Sequence, residues 1–210
     1  MRGGHGVQLG HNDRIGNLEL EVLSDHWFVL RKATFDFRHR DGRVTREVRE
    51  AYDRGNGVTI LLHDPEARTV LLTRQFRLPI FLNGHPDGML LETAAGLLDE
   101  RSEDPEDAIR REAEEESGVR ATEVRRLFEL FMSPGSVTER VTFFAATYAH
   151  EQRVSAGGGN ADEGEDIEIV ELALDDALAM VERGAIDDAK TVILLQWAAM
   201  QRFDPVKPGA

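Results

Sequence analysis

The chain has 210 residues, of which 41% are hydrophobic and 30% charged, and its formal net charge is −14. These values indicate a globular protein, and the acidic excess argues against non-specific binding to nucleic acid or anionic membranes, which depends on clustered Lys and Arg. The absence of cysteine excludes disulfides, thiol nucleophiles and zinc–thiolate sites.

The N-terminal quarter of the chain is predicted to form a small sheet. Residues 1–15 are rich in Gly and His and are predicted to be disordered, and they lack the apolar region of a signal peptide. Alternating polarity then predicts strands over residues 18–22, 26–37 and 43–52, with Asp41-Gly42 as a hairpin turn. Three such strands bury little on their own, so we expect this sheet to pack on the main domain or on a second subunit.

The rest of the chain alternates strands and helices. Strands are predicted at 58–63, 69–76, 89–96, 124–132, 141–148 and 167–172, with a helix after residue 104 and two closing helices at 175–184 and 188–203. A Gly- and Pro-rich loop is expected at 79–88. The longest apolar runs, such as Val192–Met200, are too short for a membrane span, so we expect a cytoplasmic protein without membrane contact. We divide the chain into a disordered N-terminus (1–15), an N-terminal β-sheet dimerisation region (16–53), a main domain (54–203) and a tail (204–210).

An acidic helix is the most informative element. Asp104 is suited to the N-cap, Pro105 to the first helical position, and Gly118 to the C-terminal stop. Glu112 and Glu116 lie four residues apart and therefore project from one face, with Glu115 at its edge. Like charges at this spacing destabilise a helix unless a cation lies between them, and Mg²⁺ is the usual cation where phosphates complete its shell.

The segment Arg111–Val119 (REAEEESGV), with Glu103 eight residues before Arg111, resembles the Nudix box. Six residues separate Gly96 from Glu103, where the signature has five, and the extra residue falls before the helix. The resemblance implies an α/β fold, the Nudix α/β/α sandwich with a mixed sheet, and Mg²⁺-dependent hydrolysis of a diphosphate bond, with Mn²⁺ as a substitute. It also implies that the backbone carbonyl of Ala95 helps to hold a metal ion.

Other residues are candidates for the chemistry. The Gly-rich loop at 155–166 is typical of a mobile surface loop or of a lid, and as a lid it would bring Glu165, or alternatively Glu163, to the metal. Glu139 is a further candidate, either as the general base that positions the water or as a group that completes the site, and Glu115 supports Glu112 and Glu116 as metal ligands. Arg111 is expected to orient Glu112 or a neighbouring carboxylate by a charge-assisted hydrogen bond rather than to contact the substrate. Of the two arginines in the segment TRQFR, Arg74 and Arg77, we expect one to be structural.

Further segments narrow the resemblance. The segments LSDHWF, YDRGNG, RQFR, TAAGLLD, LFELFMSPGSVTE, AGGG, EDIE and DAKT are similar to the GDP-mannose pyrophosphatase branch of the ADP-ribose pyrophosphatase group. This similarity implies a homodimer that exchanges its N-terminal sheet. It assigns metal binding to Ala95, Glu112, Glu116 and Glu165, and substrate binding to Trp27, Arg49, Glu50, Arg77, Glu139 and Lys190. The chain departs from the branch at Trp27, where a tyrosine is expected, and at Val48, where a basic residue is expected.

Three functions remain open at this point. The favoured one is hydrolysis of a nucleoside diphosphate sugar, GDP-mannose, to GMP and mannose 1-phosphate. The second is hydrolysis of ADP-ribose to AMP and ribose 5-phosphate, or of nucleotide sugars broadly, because Pro134 is compatible with both branches. The third is a catalytically silent Nudix fold that senses a ligand, which would be expected to have lost the Glu residues that the box retains.

Overall fold

The computed structural model describes residue 7 and residues 9–98, 104–149 and 152–201, with the side chain of Glu163 excepted. Within these ranges the strands are β1 (Ile15–Asp25), β2 (Val29–Arg38), β3 (Val44–Asp53), β4 (Gly57–Asp64), β5 (Thr69–Phe76), β6 (Met89–Glu92), β7 (Ala94–Leu97), β8 (Val124–Phe131), β9 (Arg140–Thr147) and β10 (Glu168–Ala173). The helices are α1 (Leu78–Leu82), α2 (Pro105–Ser117), α3 (Leu174–Glu182) and α4 (Ala189–Met200), with a 3₁₀ turn at Ala161–Glu163. None of the described helices has the length and hydropathy of a membrane span.

The chain forms two compact units, and the first contains the described residues up to Asn56 together with Phe131–Arg140. Strands β1, β2 and β3 form an antiparallel sheet in that order, and Gly42 has the positive φ that the predicted hairpin turn requires. Large apolar side chains of β1, including Leu20 and Val22, are exposed. The predicted sheet is therefore confirmed, and it carries exposed apolar side chains.

The second unit contains Gly57–Leu130 and the residues from Val141 onward. Its seven-stranded mixed sheet has the order β10-β5-β4-β9-β8, with β6 paired to β5 and β7 paired to β4. Strand β4 runs parallel to β9 and antiparallel to β5 and β7. A single strand was expected over 89–96, but Thr93 divides it, because its first half pairs with β5 and its second half with β4.

Helices cover both faces of this sheet. Ala108, Ile109 and Ala113 of α2 pack on alternate residues of β4, including Val58 and Ile60. Thr59 projects from the opposite face of β4 and meets Thr93, which in turn contacts Thr191 of α4. The second unit is therefore the three-layered α/β/α sandwich that the sequence predicts. One local prediction was wrong, since the loop expected at 79–88 contains helix α1, with Pro79 in its first turn.

Candidate active site

Helix α2 begins and ends at the predicted signals. The Asp104 side chain accepts a hydrogen bond from the Glu106 backbone N–H at 2.8 Å, and Pro105 occupies the first turn. Gly118 closes the helix with φ 73°, and its N–H donates to the Glu114 carbonyl at 3.0 Å. These caps fix where the helix begins and ends, and the packing of Ala108, Ile109 and Ala113 in the core sets the direction in which its carboxylates project.

Glu116 lies in the interior, with 1% of its surface exposed. One carboxylate oxygen accepts a hydrogen bond from the Ala95 backbone N–H at 3.2 Å, and in the described part of the chain no Lys or Arg forms an ion pair with it. Burial raises the pKa of Glu116 to about 8, and repulsion from Glu112 adds to the shift, while the Ala95 hydrogen bond opposes it. A buried carboxyl without a cation is a group that a metal ion would stabilise.

Glu112 lies one turn earlier on the same face. Burial raises its pKa to about 7, and the positive charge of Arg111 opposes the shift while Glu115 and Glu165 reinforce it. The Arg111 guanidinium donates to Glu112 at 2.9 Å and lies 3.5 Å from a Glu115 oxygen. Arg111 is thus placed where the sequence expected it, and its role in orienting Glu112 stays a prediction.

Gly96 makes room for Glu112. A Cβ at this position would lie 2.2 Å from the Glu112 carboxyl carbon, so any side chain would displace that carboxylate. Ala95 and Gly96 belong to β7, the half-strand that pairs with β4. The division of the strand at Thr93 therefore places a close backbone approach directly beside the two carboxylates.

The Gly-rich loop lies against the C-terminal end of α2. The N–H groups of Gly158 and Gly159 donate to the carbonyls of Glu116 and Glu115, at 2.9 and 3.0 Å. Both glycines have positive φ, which allows consecutive N–H groups to meet the last carbonyls of the helix. This packing brings Glu165 close enough to raise the pKa values of Glu112 and Glu116, and Glu165 itself accepts from the Asn160 N–H at 2.8 Å. Closure of the loop as a lid stays a prediction.

These donors fit a hard divalent cation. Carboxylate oxygens are the preferred ligands of such ions, and the two α2 carboxylates repel one another without one. Within the described ranges no three acidic or histidine side chains converge closely enough to enclose an ion by themselves. The arrangement is therefore an open carboxylate site, whose shell backbone carbonyls, water and phosphate oxygens would complete. Glu103 and the side chain of Glu163 lie outside the described residues.

The other predicted residues fall into both units. Arg77 and Lys190 belong to the second unit, where both contact Glu92, while Arg74 makes exposed ion pairs with Asp87 and Glu168 at 3.3 Å each. Of the two arginines, Arg74 is therefore the one held in surface pairs. The first unit contains the remaining candidates, Trp27, Arg49, Glu50 and Glu139.

Within the first unit, the Trp27 side chain is 82% exposed, although a buried anchor is the commoner fate of tryptophan. Glu139 lies 3.3 Å from the Arg54 guanidinium, so its carboxylate is held by a cation. Arg49 pairs with Glu47 at 2.9 Å, and Glu50 is exposed on β3.

Sequence reasoning missed Glu92. It is the only charged residue in the segment MLLETAAG, and an acidic residue inside an otherwise apolar strand is the signal that would have found it. The structure buries this carboxylate between two cations.

Comparison with known proteins decides the family. The GDP-mannose pyrophosphatase NudK N-terminal domain matches residues 14–52, and the NUDIX domain matches residues 53–195. The chain belongs to the NUDIX family. The resemblance drawn from the acidic helix is thereby confirmed, and NUDIX hydrolases generally use divalent metals.

Individual relatives are similar over most of their length. The GDP-mannose pyrophosphatase of Pectobacterium atrosepticum is 52% identical over 184 residues, which cover 88% of this chain and 93% of the relative. That of Klebsiella pneumoniae is 54% identical over 177 residues, covering 84% and 87%. That of Escherichia coli O1:K1 is 52% identical over 183 residues, covering 87% and 94%.

Proposed function

We propose that this NUDIX protein hydrolyses GDP-mannose to GMP and mannose 1-phosphate with the help of a divalent metal ion. The observation that carries the proposal is the 52% identity to a GDP-mannose pyrophosphatase over 88% of the chain. The buried carboxylates of α2 support it, because hydrolysis of a diphosphate needs metal ions that neutralise the phosphates, and carboxylate oxygens hold such ions.

The metal ligands in this proposal are Glu112, Glu116, Glu165 and the backbone carbonyl of Ala95. Mg²⁺ is the proposed ion and Mn²⁺ its substitute. A bound divalent ion neutralises the diphosphate and lowers the pKa of a water molecule. The chain itself keeps the carboxylates in place: Gly96 leaves space for Glu112, and the Ala95 N–H holds Glu116.

In the hydrolysis, a water oxygen forms a bond to one phosphorus and the bond from that phosphorus to the bridging oxygen breaks. The water proton passes to a carboxylate, and the leaving phosphate takes the bonding electrons. Glu165, Glu163, Glu139 and Glu115 are the proposed candidates for that base. The interaction of Glu165 with both α2 carboxylates supports it over Glu115, which is exposed and paired with Arg111.

Substrate contacts are proposed at Trp27, Arg49, Glu50, Arg77, Glu139 and Lys190. The exposed indole of Trp27 is free to stack on a base, which supports its role without the hydroxyl of a tyrosine. Because the metal ligands are buried and acidic, the phosphates need cations, and Arg77 and Lys190 are the proposed ones in the second unit.

We also propose a homodimer that exchanges its N-terminal sheet. The exposed apolar residues of β1 support this, because three strands bury little apolar surface on their own and exposed apolar side chains are typical of an interaction site. Removal of residues 1–53 is expected to convert a dimer into a monomer in analytical ultracentrifugation. A truncated monomer with full activity would contradict the exchange. A cytoplasmic location stays a prediction.

The activity is tested by incubating the purified chain with GDP-mannose and Mg²⁺ and identifying products by ion-exchange chromatography. Equal amounts of GMP and mannose 1-phosphate are expected, with no reaction in EDTA and recovery with Mn²⁺. GDP with free mannose, or phosphate release alone, would contradict the proposed bond. Bound metal without turnover of any nucleotide sugar would favour the silent fold.

A further inference from the structure

Glu92 is an acidic residue in an unusual position. It ends β6, directly before the Thr93 break, and only 1% of its surface is exposed. A buried carboxylate is strongly unfavourable unless it is paired and hydrogen-bonded. Both of its oxygens are used: one accepts from Nε of Arg77 at 2.6 Å, and the other accepts from Nζ of Lys190.

The two cations come from distant parts of the chain. Arg77 follows β5 immediately, and Lys190 lies in the first turn of α4, 113 positions later. Since each binds a different oxygen of one carboxylate, Glu92 fixes their separation. Asp188 adds a second constraint, because it lies 3.0 Å from Lys190 and also accepts from the backbone N–H of Thr191 at 3.0 Å.

Buried hydrogen bonds connect the residues that flank this cluster. The Thr93 N–H donates to the Thr191 hydroxyl at 2.8 Å, and that hydroxyl donates to Asp188 at 2.7 Å. Thr93 and Thr191 are both fully buried. Thr93, the residue after β6, and helix α4 are thus joined by a buried hydrogen bond next to the ion cluster.

Both cations keep unused donors. The Arg77 side chain is 38% exposed, and in the described part of the chain its two Nη groups have no protein acceptor. Those groups form the planar pair that matches two phosphate oxygens. Lys190 is 15% exposed and, with two N–H groups directed at Glu92 and Asp188, has a third left to donate. Asp188 also lines an open cavity of about 370 Å³ together with Leu90 and Ala189.

The charges of the cluster balance. Arg77 and Lys190 are offset by Glu92 and Asp188, so the cluster is neutral before any anion arrives. The electrostatic interaction of Arg77 extends to Glu116, which places the cluster beside the carboxylate site rather than on a remote surface. Because the cluster is neutral, the remaining N–H groups of Arg77 and Lys190 suit an anion whose negative charge is already partly neutralised by a metal ion.

We propose that Glu92 is a positioning residue that holds Arg77 and Lys190 so that their free N–H groups bind one phosphate of the substrate diphosphate. The inference rests on the proposed function, in which both cations contact substrate. Glu92 itself touches neither substrate nor metal. It acts by preventing two long side chains from adopting other rotamers, so that less freedom is lost when the phosphate binds.

The test uses Glu92→Gln, Lys190→Met and the double variant in the full-length chain. Affinity is measured by calorimetric titration with methylenediphosphonate and Mg²⁺, a diphosphate probe that is not hydrolysed, and kcat/KM is measured with GDP-mannose. Each single variant is expected to weaken probe binding by roughly 10- to 100-fold, because each loses charge-assisted hydrogen bonds. The double variant is expected to lose less probe affinity than the product of the fold-losses in the two single variants, because Glu92 acts through Lys190.

A purely structural Glu92 would change the melting temperature and leave probe affinity unaltered, and that result would overturn the proposal. Fully multiplicative losses would overturn it as well. Glu168→Gln is the matched control, since it breaks an exposed ion pair with Arg74 and is expected to leave affinity within about 2-fold. If Glu92→Gln does not fold, the same cycle is run with Glu92→Asp, which keeps the charge but moves the carboxylate back by one methylene.

The outcomes separate this proposal from the proposed function. If the wild-type protein binds the probe tightly but does not hydrolyse GDP-mannose, the proposed substrate is refuted. A loss of probe affinity in Glu92→Gln would still support the positioning role in that case. Wild type and Glu92→Gln with equal affinity and equal kcat/KM would refute the positioning role and leave the activity standing.

Discussion

Replacement of Glu116 by glutamine is expected to stabilise the metal-free protein and to abolish its activity. The pKa of Glu116 is raised from 4.5 to about 8 by burial first and by Glu112 second. A carboxyl whose pKa is higher in the folded state favours folding when protonated, so the stability of the metal-free chain falls as pH rises from about 4.5 to about 8. The glutamine side chain of the variant carries no charge at any pH, and its amide oxygen can still accept from the Ala95 N–H.

The change in the free energy of unfolding follows from the shift in the pKa of Glu116. Each pKa unit corresponds to about 1.4 kcal/mol, which would give roughly 4 kcal/mol at pH 8 for an isolated group. Because Glu112 shares the repulsion and the new amide N–H groups lack an acceptor, we expect a gain of roughly 2 to 3 kcal/mol at pH 8. Below about pH 5 the difference is expected to shrink to less than about 1 kcal/mol.

Thermal unfolding in EDTA at pH 5 and pH 8 measures this directly, and the gain corresponds to a rise in Tm of roughly 5 to 10 °C at the higher pH. Addition of Mg²⁺ is expected to raise the Tm of the wild type and to have little effect on the variant. Glu114→Gln is the control, because Glu114 lies on the same helix in an exposed pair with Arg120. A variant that is less stable than wild type at pH 8, or that retains turnover, would refute this interpretation of Glu116.

Three further predictions concern the same site. Gly96→Ala is expected to reduce kcat/KM at least about 10-fold and to raise the Mg²⁺ concentration that gives the half-maximal rate. The reason is that the Cβ of the new alanine would lie 2.2 Å from the Glu112 carboxyl carbon. An unchanged dependence of the rate on Mg²⁺ would contradict this prediction. Arg111→Met removes an attraction that lowers the pKa of Glu112, so the acidic limb of the pH–rate profile is expected to move to higher pH, and a shift to lower pH would disprove it. Glu165→Gln and Glu139→Gln are compared by kcat at one pH: the residue whose replacement lowers kcat by at least about 100-fold is the general base, and an unchanged kcat in both variants would exclude both.

The α2 region was predictable because its signals are local. A capping Asp, a Pro in the first turn and a closing Gly set the helix by backbone chemistry within 15 residues, and the four-residue spacing then sets which carboxylates share a face. The burial of Glu116 was not predictable, because it depends on β7 and on core residues far away in sequence.

The division of the strand at Thr93 was missed for a similar reason. The segment Met89–Leu97 has one continuous β-type pattern, and nothing within it shows that its halves pair with different strands. The role of Glu92 was also missed, because its two partners, Arg77 and Lys190, come together only when β5 and α4 pack in the same unit. Interactions of this kind depend on how the strands and helices pack, and not on the spacing of residues along the sequence.

Competition between two substrates shows whether the chain hydrolyses GDP-mannose in preference to ADP-ribose. GDP-mannose and ADP-ribose are mixed at equal concentrations with the wild-type chain and Mg²⁺, and GMP and AMP are quantified at early times, so that their ratio equals the ratio of the two kcat/KM values. GMP is expected to exceed AMP by at least about 10-fold. An excess of AMP would contradict it, assigning the same carboxylate site to ADP-ribose hydrolysis.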